Sequence, residues 1–244
     1  MNLQKNIGWL LISGALGVLI PYTALTLTFD YPDILREDTA LIMTRFHEGG
    51  PALIATWFAF AVLGLPLLAA YVLMGQWLEK KHPAVRLATT LGVVSLIVQM
   101  IGLLRWTFVV PVLASAYSQA KNPATREAVS VAFQVVHQYG GVVLGEHLGQ
   151  LFTIAWTVLV ARALGDLRLI ARPTVWLGYL ASAIYLLAQA ELFATVMPGF
   201  PVWEPAGLVG STLWLVWLVI VGVRFTRRSP AAARADASFP AYRQ

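Results

Sequence analysis

The chain has 244 residues, of which 58% are hydrophobic and 12% charged, with a mean hydropathy of +0.70 and a formal net charge of +5. That much apolar surface exceeds what one water-soluble core of this length can hide, so a soluble domain is excluded and an all-α polytopic membrane protein is expected. Cysteine is absent, which excludes disulfides, thiolate metal sites, thioether-linked haem and cysteine nucleophiles.

Six windows reach the roughly 20 residues needed to cross a hydrocarbon layer of about 30 Å. They lie at residues 7–29, 51–73, 87–113, 140–160, 175–196 and 208–223 and predict a bundle of six transmembrane helices. The first is too long for a signal-peptide core and lacks a small-residue cleavage site, so it is expected to stay as a span. Asp30 to Gly50 follows as an acidic outer loop. In it Tyr31-Pro32-Asp33 signals a turn, and Ile34, Leu35, Leu41, Ile42 and Phe46 predict a short helix lying at the interface. Pro21, Pro66 and Pro111 are expected to kink three spans and leave room for a cavity. Asn122-Pro123 supplies an N-cap and a first helical residue. Val129, Ala132, Phe133 and Val136, spaced by threes and fours, then predict an extra amphipathic helix on the outer side, leading into the fourth span through Gly140-Gly141. Residues 1–224 make up the membrane domain; residues 225–244, rich in Arg, Ala, Ser and Pro, have the composition of a disordered cytoplasmic tail.

Cytoplasmic loops carry an excess of Lys and Arg. Lys5, the loop with Lys80, Lys81 and Arg86, the loop with Arg162, Arg168 and Arg172, and the tail hold most of the 17 basic residues on one side. Both termini are therefore expected in the cytoplasm. The basic balance is explained by insertion signals, without nucleic acid as a partner. Trp9, Trp77 and Trp176 near the inner interface, and Trp57 and Trp203 near the outer one, are placed as anchoring belts, whereas Trp106, Trp156, Trp214 and Trp217 lie deeper.

In the fourth span Gly141, Gly145 and Gly149 repeat every four residues and form a small-residue groove for helix packing. Glu146, Gln150, Thr153 and Thr157 make a polar stripe beside it, which either bonds helix to helix or lines a polar site. Arg105, Glu146 with His147, and Glu191 each interrupt an apolar run. At a rise of about 1.5 Å per residue, Arg105 lies roughly 12 Å and the two acids roughly 9 Å below the outer ends of their spans, so they share a layer. A bidentate pairing of Arg105 with one carboxylate is expected, leaving the other to be protonated, to pair with His147 or to take a ligand. Arg105, Trp106, Glu146, His147, Gln150 and Glu191 are the candidates for ligand binding or proton handling in the outer third of the membrane. The competing reading is a static lock of Arg105 on a carboxylate.

No catalytic motif is present, and no cofactor is expected. His47, His137 and His147 are weak metal candidates, since no His-x-x-x-His or His-Glu-x-x-His pair exists and neighbours such as Glu146 and His147 point about 100° apart on a helix. Haem is not expected, because His137 and His147 would lie about 15 Å apart along a continuous helix. Retinal is not expected either, since Lys5, Lys80, Lys81 and Lys121 all fall outside the spans.

Phe29-Asp30-Tyr31-Pro32-Asp33-Ile34-Leu35-Arg36 at the end of the first span, and Arg105-Trp106-Thr107-Phe108-Val109-Val110-Pro111-Val112-Leu113-Ala114 in the third, resemble segments of the bacterial membrane-protein family catalogued as domain of unknown function 4386. The resemblance covers most of the chain and implies a six-span inner-membrane protein; it implies no reaction, substrate or cofactor. Three functions remain open from the residues. The first is an accessory subunit, partnered by the bilayer and by other membrane subunits, or a small-ligand binder with a polar pocket. The second is a proton-coupled transporter of a small solute, and the third a membrane-embedded metal-dependent enzyme.

Overall fold

Backbone amides in hydrocarbon must find partners within the chain, and apolar runs rich in Leu, Ala and Val achieve this by coiling into helix. The computed structural model describes residues 3–227 and is all-helical: helix makes up 85%, and no strand forms among the described residues. In chain order the elements are α1 (Leu3–Phe29), a 3-10 turn (Asp33–Arg36), α2 (Thr39–Val62), α3 (Leu65–Leu78), α4 (Ala84–Phe108), α5 (Val110–Gln119), α6 (Pro123–Val136), a π-helical segment (His137–Leu148), α7 (Gly149–Asp166), α8 (Arg172–Leu187), α9 (Gln189–Ala194) and α10 (Ala206–Arg227). Among the described residues six stretches are long and apolar enough to cross a membrane: Leu3–Phe29, Thr39–Leu78, Ala84–Gln119, Pro123–Asp166, Arg172–Ala194 and Ala206–Arg227. The chain is thus a multi-pass membrane protein by the length and composition of its helices. The tail expected to be disordered lies outside the described residues from 228 onward.

Several local features follow from single residues. Asn122 caps α6 by accepting from the Thr125 backbone N–H at 2.8 Å, as its position before Pro123 leads one to expect. Pro66 and Pro111 sit in the first turns of α3 and α5, where a missing N–H costs nothing, and the spans Thr39–Leu78 and Ala84–Gln119 are each interrupted just ahead of them; Pro21 lies inside α1. The segment that follows α1 departs from expectation. No separate interfacial helix spans Ile34 to Phe46. Instead the 3-10 turn is followed by a helix from Thr39 that runs on into the second span through Gly50. Gly50 has φ 54° and ψ −150°, a conformation open to glycine, and it redirects the helix ahead of Pro51. Ile34, Leu35, Ile42 and Phe46 are buried in protein and do not face an interface, while Leu41 stays exposed.

Two compact units arise. One comprises Met1–Ala15, Leu65–Leu96 and Gln150–Gln244; the other Leu16–Gly64 and Ile97–Gly149. In the first unit Tyr71 stacks on Trp156 at 3.8 Å, and Trp156 meets Trp217 edge-on at 5.8 Å. The Trp217 indole N–H donates to the Thr174 carbonyl at 3.0 Å and the Trp214 N–H to the Thr157 hydroxyl at 3.1 Å. Ser95 and Thr153 share a hydrogen bond at 2.6 Å, and the Gln189 amide donates to Gln150 at 2.5 Å. Three members of the polar stripe, Gln150, Thr153 and Thr157, therefore bond helix to helix within this unit, each bond relieving a polar group that lipid cannot satisfy.

Candidate functional site

The second unit is organised around aromatic rings. The 3-10 turn buries Ile34 and Leu35, α2 adds Ile42, Met43 and Phe46 before the Gly50 bend and Leu53, Trp57 and Phe60 after it, and α4, α5 and α6 contribute Trp106, Val110, Ala114 and Phe133. Trp57 stacks on Trp106 at 4.7 Å with 12° between planes. Phe29 presents its edge to both, at 6.2 and 5.8 Å, and Phe46 lies 5.5 Å from Trp106. Each such pair adds about 0.5–1.5 kcal/mol beyond the apolar area it hides. Trp57 is completely buried, so it is a core residue and not the interfacial anchor its sequence position implies.

Arg105 is held against this core. It is 7% exposed, its guanidinium lies 5.2 Å from the Trp106 ring centre, and its Nη1–H donates to the Gly102 carbonyl in a short hydrogen bond. Its Nε–H has no partner. The guanidinium lies across Gly141, where any side chain would collide with it. Gly102 and Gly145 bring α4 and the π-helical segment to near backbone contact: a Cβ on Gly102 would stand 2.7 Å from the Gly145 Cα and 2.9 Å from the Gly140 carbonyl oxygen. The third glycine of that row, Gly149, packs against the Gln99 side chain. The groove read from the sequence is thus filled by the chain's own α4.

The expected pairing of Arg105 with a carboxylate does not form. Among the described residues Arg105 makes no ion pair; Glu146 instead bonds Arg36 at 2.6 Å. Two local causes produce this. Burial of Ile34 and Leu35 fixes the 3-10 turn whose last residue, Arg36, reaches Glu146, and the glycine row draws the Arg105 side chain over Gly141. Glu146 still acts electrostatically on Arg105, but its hydrogen bond is committed elsewhere. Arg36 escapes sequence reasoning because it falls in a segment with the composition of a loop; the signal for it is its position directly after two apolar residues, Ile34-Leu35.

The π-helical segment widens the turn between His137 and Leu148, a rare conformation that recurs at functional sites. His137, at its start, is buried against Phe133 at 5.2 Å and Trp106 at 6.0 Å; neither ring nitrogen meets a hydrogen-bond partner at good geometry, although the Leu35 backbone lies in reach. His147 is half-buried and His47 exposed. Among the described residues no three His, Asp or Glu side chains gather as metal ligands. Gln150 and Glu191 belong to the first unit, Glu191 half-buried on α9. Two surface cavities, of about 600 and 380 Å³, also lie in the first unit, and none of the candidate residues lines either.

The two segments that carry the family resemblance meet in this site. Phe29, Ile34 and Leu35 from one share a core with Trp106, Val110 and Ala114 from the other, and their charged ends are Arg36 and Arg105. The family model described as domain of unknown function (DUF4386) matches residues 6–222. The chain belongs to DUF4386. The match runs through all six apolar helices, so the fold described here is that of the family domain in this DUF4386 protein. No match was found among curated proteins or among solved structures.

Proposed function

We propose that this DUF4386 protein is a membrane-embedded binder of a small anionic molecule, recognised by Arg105, in a bacterial inner membrane with both termini cytoplasmic and α6 as an amphipathic helix on the outer side. The observation that supports the reading is a guanidinium 7% exposed, without a carboxylate partner and with its Nε–H unbonded. An intramembrane cation is expensive and calls for an anion. Here one carbonyl and one aromatic face supply only part of what five guanidinium donors can take. The neighbouring π-helical segment, a rare conformation that recurs at functional sites, supports the same reading.

Other readings are weaker on this geometry. A proton-coupled transporter would use Glu146 as a titrating group, and its pairing with Arg36 would have to break first. An accessory subunit would dock on the glycine row, and that row already receives α4. The binder is tested by extracting small molecules from protein purified in mild detergent from native membranes and identifying them by mass spectrometry. An anionic compound at near-equal molar amount is expected with the wild type and lost from Arg105→Gln. A folded wild-type preparation that carries no such compound contradicts the proposal.

A further inference from the structure

The cavity of about 600 Å³ in the first unit is lined by three arginines, Arg168, Arg224 and Arg227, and by apolar residues that include Val219, Ile220 and Val223, with no acid. Arg224 and Arg227 occupy the last turn of α10 and are exposed, and neither makes an ion pair with any described residue. Charge that merely flanks a span does not need to converge on a cavity.

Arg168 sharpens the case. α7 closes with two bonds, from the Arg168 N–H to the Gly165 carbonyl at 2.9 Å and from the Leu169 N–H to the Leu164 carbonyl at 2.8 Å. This is the pattern of a Schellman cap, whose left-handed position is ordinarily glycine. Arg168 fills it with φ 54°. A glycine would relax the backbone, so the arginine is held there against local preference, and its side chain lines the cavity.

We propose that this cavity is a binding site for an anionic phospholipid: Arg168, Arg224 and Arg227 take the headgroup phosphate, and one acyl chain lies along Val219, Ile220 and Val223. Those three residues are one face of α10, partly exposed, and extend the cavity down the helix toward the hydrocarbon. A free phosphate would use the arginines alone and leave that apolar wall without a role. The 17 residues after Arg227 carry Arg228, Arg234 and Arg243 against Asp236, so their charge does not complement the site.

Native mass spectrometry of the full chain in mild detergent, titrated with phosphatidylglycerol, phosphatidylcholine or inorganic phosphate, tests the proposal. The wild type is expected to retain phosphatidylglycerol selectively, with millimolar phosphate failing to displace it. One basic residue near an anionic surface is worth roughly a fivefold change in binding, so Arg224→Gln with Arg227→Gln should weaken retention roughly thirtyfold. Arg168→Gly should weaken lipid binding while thermal stability stays level or rises, a split that a purely structural arginine would not give. Equal retention of phosphatidylcholine, full displacement by phosphate, or unchanged retention in the double variant would each overturn it; the first two read the wild type alone and so do not depend on how the variants fold.

Discussion

Replacing Arg105 by methionine separates a ligand site from a structural lock. The guanidinium gains a charge-assisted hydrogen bond to Gly102, worth about 2 kcal/mol, and a cation–π contact with Trp106, worth about 1–2 kcal/mol. Against these stands the removal of the charge from water, effectively several kcal/mol per ion and offset only in part by Glu146, which acts on Arg105 without a hydrogen bond to it. The two sides nearly cancel, with a net cost on the order of 1–2 kcal/mol. Methionine has similar reach, lies across Gly141 as readily and carries no charge to desolvate. Arg105→Met is therefore expected to leave the ligand-free fold unchanged or to stabilise it by about 1–2 kcal/mol, while abolishing copurification of an anionic compound. Thermal unfolding in detergent, followed by tryptophan fluorescence, reads the first effect, since Trp57 and Trp106 report on this core. A loss of more than about 3 kcal/mol, the range for breaking a buried ion pair, would mean that Arg105 is a lock and would refute the reasoning.

The glycine contacts make a contrasting pair. Gly102→Ala places a methyl 2.7 Å from the Gly145 Cα, where only backbone can yield, and should cost about 1–3 kcal/mol. Gly149→Ala places a methyl in collision with the Gln99 Cγ, so the Gln99 side chain must swing away and give up its 3.4 Å bond to the Gly149 carbonyl; a side chain yields here and helix propensity is gained, so its cost should be smaller than that of Gly102→Ala. Equal Tm shifts for the two would show that the close approach of α4 is not as described. For the Arg36–Glu146 pair, whose side chains are 27% and 21% exposed, a double-mutant cycle with Arg36→Gln and Glu146→Gln should give a coupling of about 1–2 kcal/mol, between surface and buried values. A coupling near zero would place Glu146 elsewhere.

The all-helical fold and the six apolar helices are legible in the sequence because hydrocarbon leaves few options: long apolar runs with few charges can satisfy their backbone only as helix. The Asn122 cap is legible for a similar reason, being a local geometric fact. What escapes the sequence is pairing. Counting residues along ideal helices puts Arg105 and Glu146 in one layer, yet a π-helical segment, whose wider turn changes the register of every later side chain, carries Glu146. Arg36 lies in a segment whose apolar residues suit an interface by pattern and are core in the fold, and Trp57 is misplaced by the same step. The polar stripe divides accordingly. Thr153 and Thr157 on the regular α7 find helix partners, and Glu146 on the π segment finds an arginine from the 3-10 turn.

A density map of the protein purified from native membranes without added ligand bears on Arg105 with the least intervening inference. Extra density within about 3 Å of its Nε, at hydrogen-bond distance and absent from the Arg105→Met variant, is expected. A guanidinium seen with its Nε bonded to a protein acceptor, and no extra density beside it, would contradict the assignment of Arg105 as an anion-binding residue.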